Sequence, residues 1–492
     1  MEARRVWLPC DGDAFVPAVE VKTEPNGGRR SETATVSRWC AGGRQEELVR
    51  LPTARLRDLS PVVGDPSATC DDLTSLPDIC LPAVLHNLRL RFASDAIYTS
   101  IGPVLISVNP HKRLGHLDDF LRYCDDLDRA EDELLPPHVY RIARAAFTAL
   151  VRTGKSQSIL VSGDSGAGKT EACKLVVACL ARLAPSGRAG ATEAALGGAL
   201  MLEAWGNATT TQNKNSSRFG KWLAVELDAE SALHRCSLQP YLLERSRVVV
   251  HGPGERSYHV FYQMLAGVTA PAERAALGLK SDASEYAYLR PSASAPAVSS
   301  AADGASAAEA RDEAAAEWVE TEAKLAAIGV DAEGAAAVRR TLAAVLTLGQ
   351  VWFTDPERRF SLCSPPSSPT GGASDVPPDD AAAELTASAH AGCASLPAAE
   401  LALLASLLRV EQQPLHEALV ARHIRAGRPR ASDEGVLKPL RSGECVDVRD
   451  ALAKDIYARL FDWIVAAVNR HMTEGTPERT RSHEIARDRT RS

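Results

Sequence analysis

The chain has 492 residues, a net charge of −7 and 45% hydrophobic residues, enough apolar content for a sizeable core, so a globally disordered chain is excluded. The acidic balance argues against a nucleic-acid-binding surface over the whole molecule and leaves local basic patches open. Eleven cysteines without a C-x-x-C pair or regular spacing fit neither a zinc ribbon nor a disulfide framework, and no apolar run approaches the ~18 residues that span a bilayer. A soluble, cytosolic chain is expected.

In residues 1–55, Val6, Trp7, Phe15, Val16, Val19 and Val21 alternate with polar residues and prolines, which predicts short strands of a small β-module. Two β-rich runs follow between Ile97 and Val108, broken at Gly102-Pro103 and stopped at Asn109-Pro110. Pro136-Pro137-His138 opens a predicted helix through Val139, Ile142, Ala146 and Leu150, with proline where a first helical turn tolerates it.

The most informative stretch is Gly163-Asp164-Ser165-Gly166-Ala167-Gly168-Lys169-Thr170, the G-x-x-x-x-G-K-[ST] pattern of a phosphate-binding loop. Ser158 to Ser162 ahead of it reads as a buried strand. Cys173, Val176, Val177 and Leu180 behind it form one apolar helix face. Glycines allow positive φ, so bare N–H groups can close around phosphate oxygens. The helix start and Lys169 add positive charge, and Thr170 offers a hydroxyl to Mg²⁺. This stretch predicts binding of a nucleoside triphosphate.

A connector at 184–190 precedes a predicted helix from Glu193 to Trp205, ended by Gly206-Asn207. Lys221–Leu227 and Cys236–Leu243 read as strands joined through Asp228-Ala229-Glu230. The remainder to about Asn469 reads as mostly helical. Ser292–Ala316 and Ser364–Asp380 are low in complexity and read as solvated insertions, and Thr473–Ser492 as a frayed tail.

Between helix and strands lies Asn213-Lys214-Asn215-Ser216-Ser217-Arg218-Phe219-Gly220-Lys221. A nucleotidase needs a second Mg²⁺ ligand, donors to the γ-phosphate and a cation for its developing charge. Ser217 suits the first role, Ser216 a proton relay or phosphate donor, Arg218 the cation, and Asn213 and Asn215 amide donors. Alone, the pattern is also that of a polar turn with a surface arginine; behind a phosphate loop, the functional reading is favoured.

Together, Gly163–Thr170 and Asn213–Lys221 resemble the motor domain of myosin. Kinesins share the serine pair and arginine, but Phe219-Gly220-Lys221 is similar to the myosin form. Leu85-His86-Asn87-Leu88-Arg89, Gly102-Pro103-Val104-Leu105, Leu202-Glu203-Ala204-Trp205-Gly206-Asn207-Ala208, Tyr241-Leu242-Leu243-Glu244-Arg245-Ser246-Arg247-Val248 and Arg449-Asp450-Ala451-Leu452-Ala453-Lys454 extend the likeness over roughly Val6 to Asn469. The resemblance implies an α/β P-loop NTPase with a twisted mixed β-sheet flanked by helices, a small N-terminal β-module and a mostly helical upper subdomain. In that scheme residues 1–55 are the module, 56–222 the nucleotide-binding part, 223–472 the upper subdomain and 473–492 a tail.

By the same resemblance the chain is an actin-activated Mg·ATPase motor, cytoplasmic and associated with actin filaments. Asn109 and Pro110 border the adenine, with Lys112 and Arg113 nearby. Gly163, Asp164, Ser165, Gly166, Ala167, Gly168, Lys169 and Thr170 hold the phosphates of ATP or ADP, and Thr170 and Ser217 bind Mg²⁺. Ser216 helps move the proton of the attacking water, and Arg218 stabilises the γ-phosphate region. Arg425, Arg428, Arg430, Lys438 and Arg441 fall where the family has an actin-contacting loop of the upper subdomain; an ordinary solvated loop is an equal reading of that stretch. Light chains are not expected on this part of a motor.

Three departures stand out. Leu117 replaces an aromatic hydroxyl near the adenine loop, and Thr209 replaces a lysine. The family continues to switch II, D-x-x-G-F-E, whose glutamate pairs with the arginine equivalent to Arg218; no D-x-x-G follows Glu474 here. That implies a motor stretch lacking switch II, converter and lever, with nucleotide binding and little hydrolysis. The alternative, from another class, is a non-motor ATP-dependent actin-binding or scaffold protein.

Overall fold

The computed structural model describes residues 5–10, 14–25, 32–38, 48–52, 68–115, 123, 135–184, 201–290, 307–353, 397–424 and 436–474. The chain divides into two compact units, one of residues 1–196 with 226–234 and the other of 197–225 with 235–492.

In the first unit, strands β1 (Arg5–Cys10), β2 (Ala14–Pro25), β3 (Glu32–Arg38) and β4 (Leu48–Pro52) form an antiparallel sheet in that order. This is the expected β-module, with Val6, Trp7 and Leu8 buried. Helix α1 (Leu81–Ala93) packs on β2 and brings the His86 ring to 5.0 Å from Trp7. A hairpin follows, β5 (Tyr98–Ile101) against β6 (Val104–Ser107). Its two-residue turn starts at Gly102 with φ of 56°, the positive φ that a tight hairpin demands.

Helix α2 (Val139–Thr153) begins after the proline pair rather than with it. Pro136 and Pro137 stay outside it, and His138 caps it by accepting the Tyr140 N–H at 3.1 Å. Gly154, left-handed at φ of 64°, ends it. Helix α3 (Lys169–Leu183) packs against α2, burying Val176, Val177, Cys179 and Leu183 against a face that includes Tyr140, Ala143 and Phe147.

The second unit opens with the short helix α4 (Glu203–Gly206), the described end of the helix expected before Gly206-Asn207. Strand β7 (Asn207–Ala208) pairs with β8 (Ser216–Ser217), and β9 (Gly220–Leu227) pairs with β10 (Leu233–Tyr241). Helices α5 (His259–Gly267), α6 (Pro271–Leu277), α7 (Ala307–Ala327), α8 (Ala332–Leu348), α9 (Ala398–Leu408), α10 (Gln412–Val420) and α11 (Ser442–Glu474) make the expected helical part. Strands β11 (Ala421–Ile424) and β12 (Val436–Pro439) form a hairpin ahead of α11.

Helix α11 is the spine of this unit. Ala453, Tyr457, Phe461, Ile464 and Val468 recur at the helical period and are buried, and α11 packs against α8 and α10. Tyr457 stacks on Tyr258 with ring centroids 4.9 Å apart and donates to the Trp205 carbonyl at 2.7 Å. The short α4 and the chain leaving it are thereby tied to the helical core.

Two sequence expectations change here. The low-complexity insertion placed at 292–316 is helical from Ala307 onward, because the alanine-rich run has high helix propensity and α7 has a partner in α5. Trp318 of α7 fills the space that a side chain at Gly267 would need, 2.3 Å from a Cβ built there. Thr473 and Glu474, placed in the tail, belong instead to α11, where the Thr473 hydroxyl donates to the Asn469 carbonyl at 2.7 Å. The insertion at 364–380 and residues 475–492 lie outside the described residues.

Candidate nucleotide site

The glycine loop in the first unit has the backbone that its sequence demands. Gly163, Gly166 and Gly168 take φ of 154°, 82° and 92°, values that a residue with a Cβ adopts only under strain. A Cβ at Gly163 would sit 3.2 Å from that of Ala167. Gly168 is the N-cap of α3 and supplies no side-chain cap, so the first-turn N–H groups remain open to an anion.

The Lys169 ammonium folds back over the loop and donates to the Gly163 carbonyl at 2.6 Å and the Asp164 carbonyl at 2.8 Å. It thus stands across the mouth of the glycine cradle. Thr170 lies half-buried in the first turn of α3, while Asp164 and Ser165 are exposed.

The approach to the loop differs from expectation. Residues 158–162 carry no strand pairing, and Leu160 is 91% exposed. Strand propensity measures fit to neighbouring strands, and none is paired with this run among the described residues. Ile159 and Val161 are half-covered, and Ser158, Leu160 and Ser162 exposed.

Asn109 has both ends of its amide engaged. Its Nδ2 donates to the Gly166 carbonyl at 2.6 Å, and its Oδ1 accepts the His111 N–H at 2.9 Å. The residue expected to border the adenine thus also holds the crest of the phosphate loop. Pro110 is half-buried beside it and Arg113 exposed, while Lys112 pairs with Asp95 at 2.7 Å. Leu117 lies outside the described residues.

In the second unit, the N-x-N-S-S-R segment is a closed loop on the β7–β8 ladder, with Asn207 opposite Ser217 and Ala208 opposite Ser216. The Thr210 N–H donates to the Asn213 carbonyl at 2.9 Å, and the Asn213 Oδ1 accepts from the Asn215 N–H at 3.0 Å. Asn215 accepts from Asn207 at 2.8 Å and donates to Glu203 at 3.2 Å. Both asparagines therefore brace the loop with their side chains. Ser216 is buried and its Oγ accepts from the Arg218 Nη1 at 3.2 Å; Ser217 is exposed.

Arg218 is the best-fixed member. Its N–H donates to the Gly206 carbonyl at 2.8 Å, and its Nε meets the Glu244 Oε2 at 2.5 Å. Glu244 also accepts from the Arg247 Nε at 2.9 Å, and the Arg247 Nη2 meets Glu255 at 2.9 Å. Burial pushes the Glu244 carboxyl up, but the hydrogen bonds and charges of Arg247 and Arg218 outweigh it and hold the group below its ordinary range.

Sequence reasoning gave Arg218 no partner within the chain, and Glu244 went unassigned. Its signal was the spacing Glu244-Arg245-Ser246-Arg247, which on one turn of 3₁₀-helix, Arg245–Val248, places a carboxylate against the arginine three residues on. Of the basic segment named for actin, Lys438 lies exposed on β12 and Arg441 exposed at the start of α11. Arg425, Arg428 and Arg430 lie outside the described residues.

The sequence matches the family model "Myosin head (motor domain)" over residues 70–367 and 383–484. It is 34% identical over 448 residues to Myosin-1 of Arabidopsis thaliana, covering 90% of this chain and 33% of that protein. It is 33% identical over 418 residues to Myosin IB heavy chain of Dictyostelium discoideum, covering 82% of this chain and 32% of that one. Myosin-3 of Arabidopsis thaliana is 35% identical over 415 residues, 84% of this chain and 31% of the relative. The chain thus spans about a third of the length of these relatives. The glycine loop with its lysine, the serine pair with its arginine and the family match over most of the sequence agree, and the chain belongs to the myosin head (motor domain) family.

Proposed function

We propose that this chain is the nucleotide-binding part of an actin-based motor, taking ATP with Mg²⁺. The observation that carries the reading is the phosphate loop: three positive-φ glycines lead into a helix start with no side-chain cap, and Lys169 lies across it. Inorganic polyphosphate suits such a cradle because several N–H groups and an ammonium converge on it without any side chain intruding. Each hydroxyl taken singly is of the kind that Mg²⁺ accepts beside phosphate oxygens: Thr170 is half-buried in the first turn of the helix behind the loop, and Ser217 is exposed on β8. When bound, Mg²⁺ neutralises charge on the phosphates.

The protein's own groups have separable tasks in this reading. Gly163–Gly168 bind and orient the phosphates, and Lys169 meets the β- and γ-groups. Asn109 keeps the loop in shape, with Pro110, Lys112 and Arg113 on the adenine side. Ser216 passes the proton of the attacking water, and Arg218 meets the charge that develops at the γ-phosphate. The basic segment of the upper subdomain, Arg425, Arg428, Arg430, Lys438 and Arg441, contacts the actin filament, in the cytoplasm.

Cosedimentation with actin filaments tests it. The chain pellets with filaments in ADP or without nucleotide and is released by Mg·ATP. Pelleting that ignores nucleotide points instead to a scaffold, and no pelleting removes the actin half of the reading.

A further inference from the structure

We propose that Glu244 is a positioning residue for Arg218, fixing its guanidinium by the Nε edge so that a terminal nitrogen is left for the last phosphate of a bound nucleoside triphosphate. The inference rests on the reading above in which Arg218 meets that phosphate.

Glu244 holds Arg218 at two levels. Its own N–H donates to the Arg218 carbonyl at 3.0 Å, and its carboxylate takes the Nε proton at 2.5 Å. A guanidinium is planar, so a bond at Nε fixes the direction of the whole fork. Nη1 spends one proton on Ser216 at 3.2 Å, and among the described residues no protein acceptor takes the Nη2 protons. The inner edge of the fork is anchored and its outer end is left to an incoming anion. The Arg218 side chain keeps 27% of its exposure, enough for a ligand to reach it.

The anchor does not depend on Arg218 for its own place. Arg247, 3% exposed, takes both oxygens of Glu244, at 2.9 Å from Nε and 3.3 Å from Nη2. Arg247 is held in turn by Glu255 at 2.9 Å and by the Arg256 carbonyl at 3.2 Å. The buried Tyr258 donates its hydroxyl to the Glu244 carbonyl at 2.8 Å. Because Glu244 divides its charge between two arginines, Arg218 is only partly neutralised. A phosphate therefore meets a cation that is already aimed and still attractive, which lowers the ordering cost of binding.

The test compares affinities of the full chain for a non-hydrolysable imido analogue of ATP and for ADP, both with Mg²⁺. Glu244→Gln removes the charge and is expected to lower the triphosphate-over-diphosphate affinity ratio by about tenfold or more, leaving ADP affinity within about twofold. A purely structural role moves both affinities together, so an unchanged ratio overturns the proposal. Glu244→Asp keeps the counter-charge for Arg247 but withdraws the carboxylate from Arg218, so it decides the matter if Glu244→Gln fails to fold; it too lowers the ratio. Arg218→Lys lowers the ratio, and adding Glu244→Gln to it lowers it no further; additive losses contradict the proposal. A wild-type chain that binds neither nucleotide defeats the parent reading, whereas binding with a ratio indifferent to Glu244 defeats this inference alone.

Discussion

The Asn469 side chain pairs with both main-chain groups of Leu238, accepting the N–H and donating to the carbonyl, each at 2.8 Å. An amide from α11 thus does for β10 what a neighbouring strand would do. The two residues are 231 positions apart, so the bond ties the helical spine to the strand that follows the candidate switch segment.

Asn469→Ala leaves both main-chain groups of the buried Leu238 without this partner and is expected to cost about 2 kcal/mol. Asn469→Asp keeps the acceptor for the N–H but sets an anion against the Leu238 carbonyl, so it does not rescue. Urea unfolding midpoints of the three proteins check this; equal midpoints contradict it.

Gly206 is required by packing rather than by its dihedral angles. A Cβ there would lie 2.3 Å from the Phe219 ring, which meets Phe461 edge-on with centroids 5.3 Å apart. Gly206→Ala must push that ring off its partner, at about 1–3 kcal/mol. Gly206→Ala with Phe219→Leu should recover part of the loss. Denaturant titration of the single and double variants measures the coupling.

Stability should fall on acidification. Burial, with Arg256 nearby, lowers His259 from 6.5 to about 4, so its imidazole stays neutral in the folded chain. Burial lowers His251 and His416 as well. The unfolded chain then binds more protons than the folded one between pH 6.5 and about 4. Stability is full above that window and is lost as pH drops through it, by about 2 kcal/mol for His259, allowing for its partial solvent contact. His259→Gln should flatten the acid limb of unfolding free energy against pH; an unaltered slope contradicts the assignment.

Local chemistry was legible, and long-range partnership was not. The hairpin at Gly102-Pro103 and the helix behind Pro136-Pro137 need only nearby residues, and both stand within a residue or two of expectation. The phosphate loop's φ angles follow directly from its glycines. The run at 158–162 has strand propensity but no strand pairing among the described residues, because pairing depends on which strands lie beside it, and composition does not reveal that. Residues 307–316 look like filler in one dimension, yet they become helix once Trp318 has Gly267 to lie against. Glu244 was invisible as a partner of Arg218 because 26 residues separate them. Family membership follows from the motifs together with the match along the chain.

The most direct measurement is equilibrium binding of a fluorescent ATP analogue to the full chain, with Mg²⁺ and with chelator, for the wild type and Lys169→Ala. The Lys169 ammonium already spans the loop through the Gly163 and Asp164 carbonyls, so a bound polyphosphate gains a full charge at short range. The account predicts saturable, Mg²⁺-dependent binding that Lys169→Ala weakens about 100-fold or more while the fold is retained. Binding that does not saturate, or that is equally strong without the lysine, contradicts it.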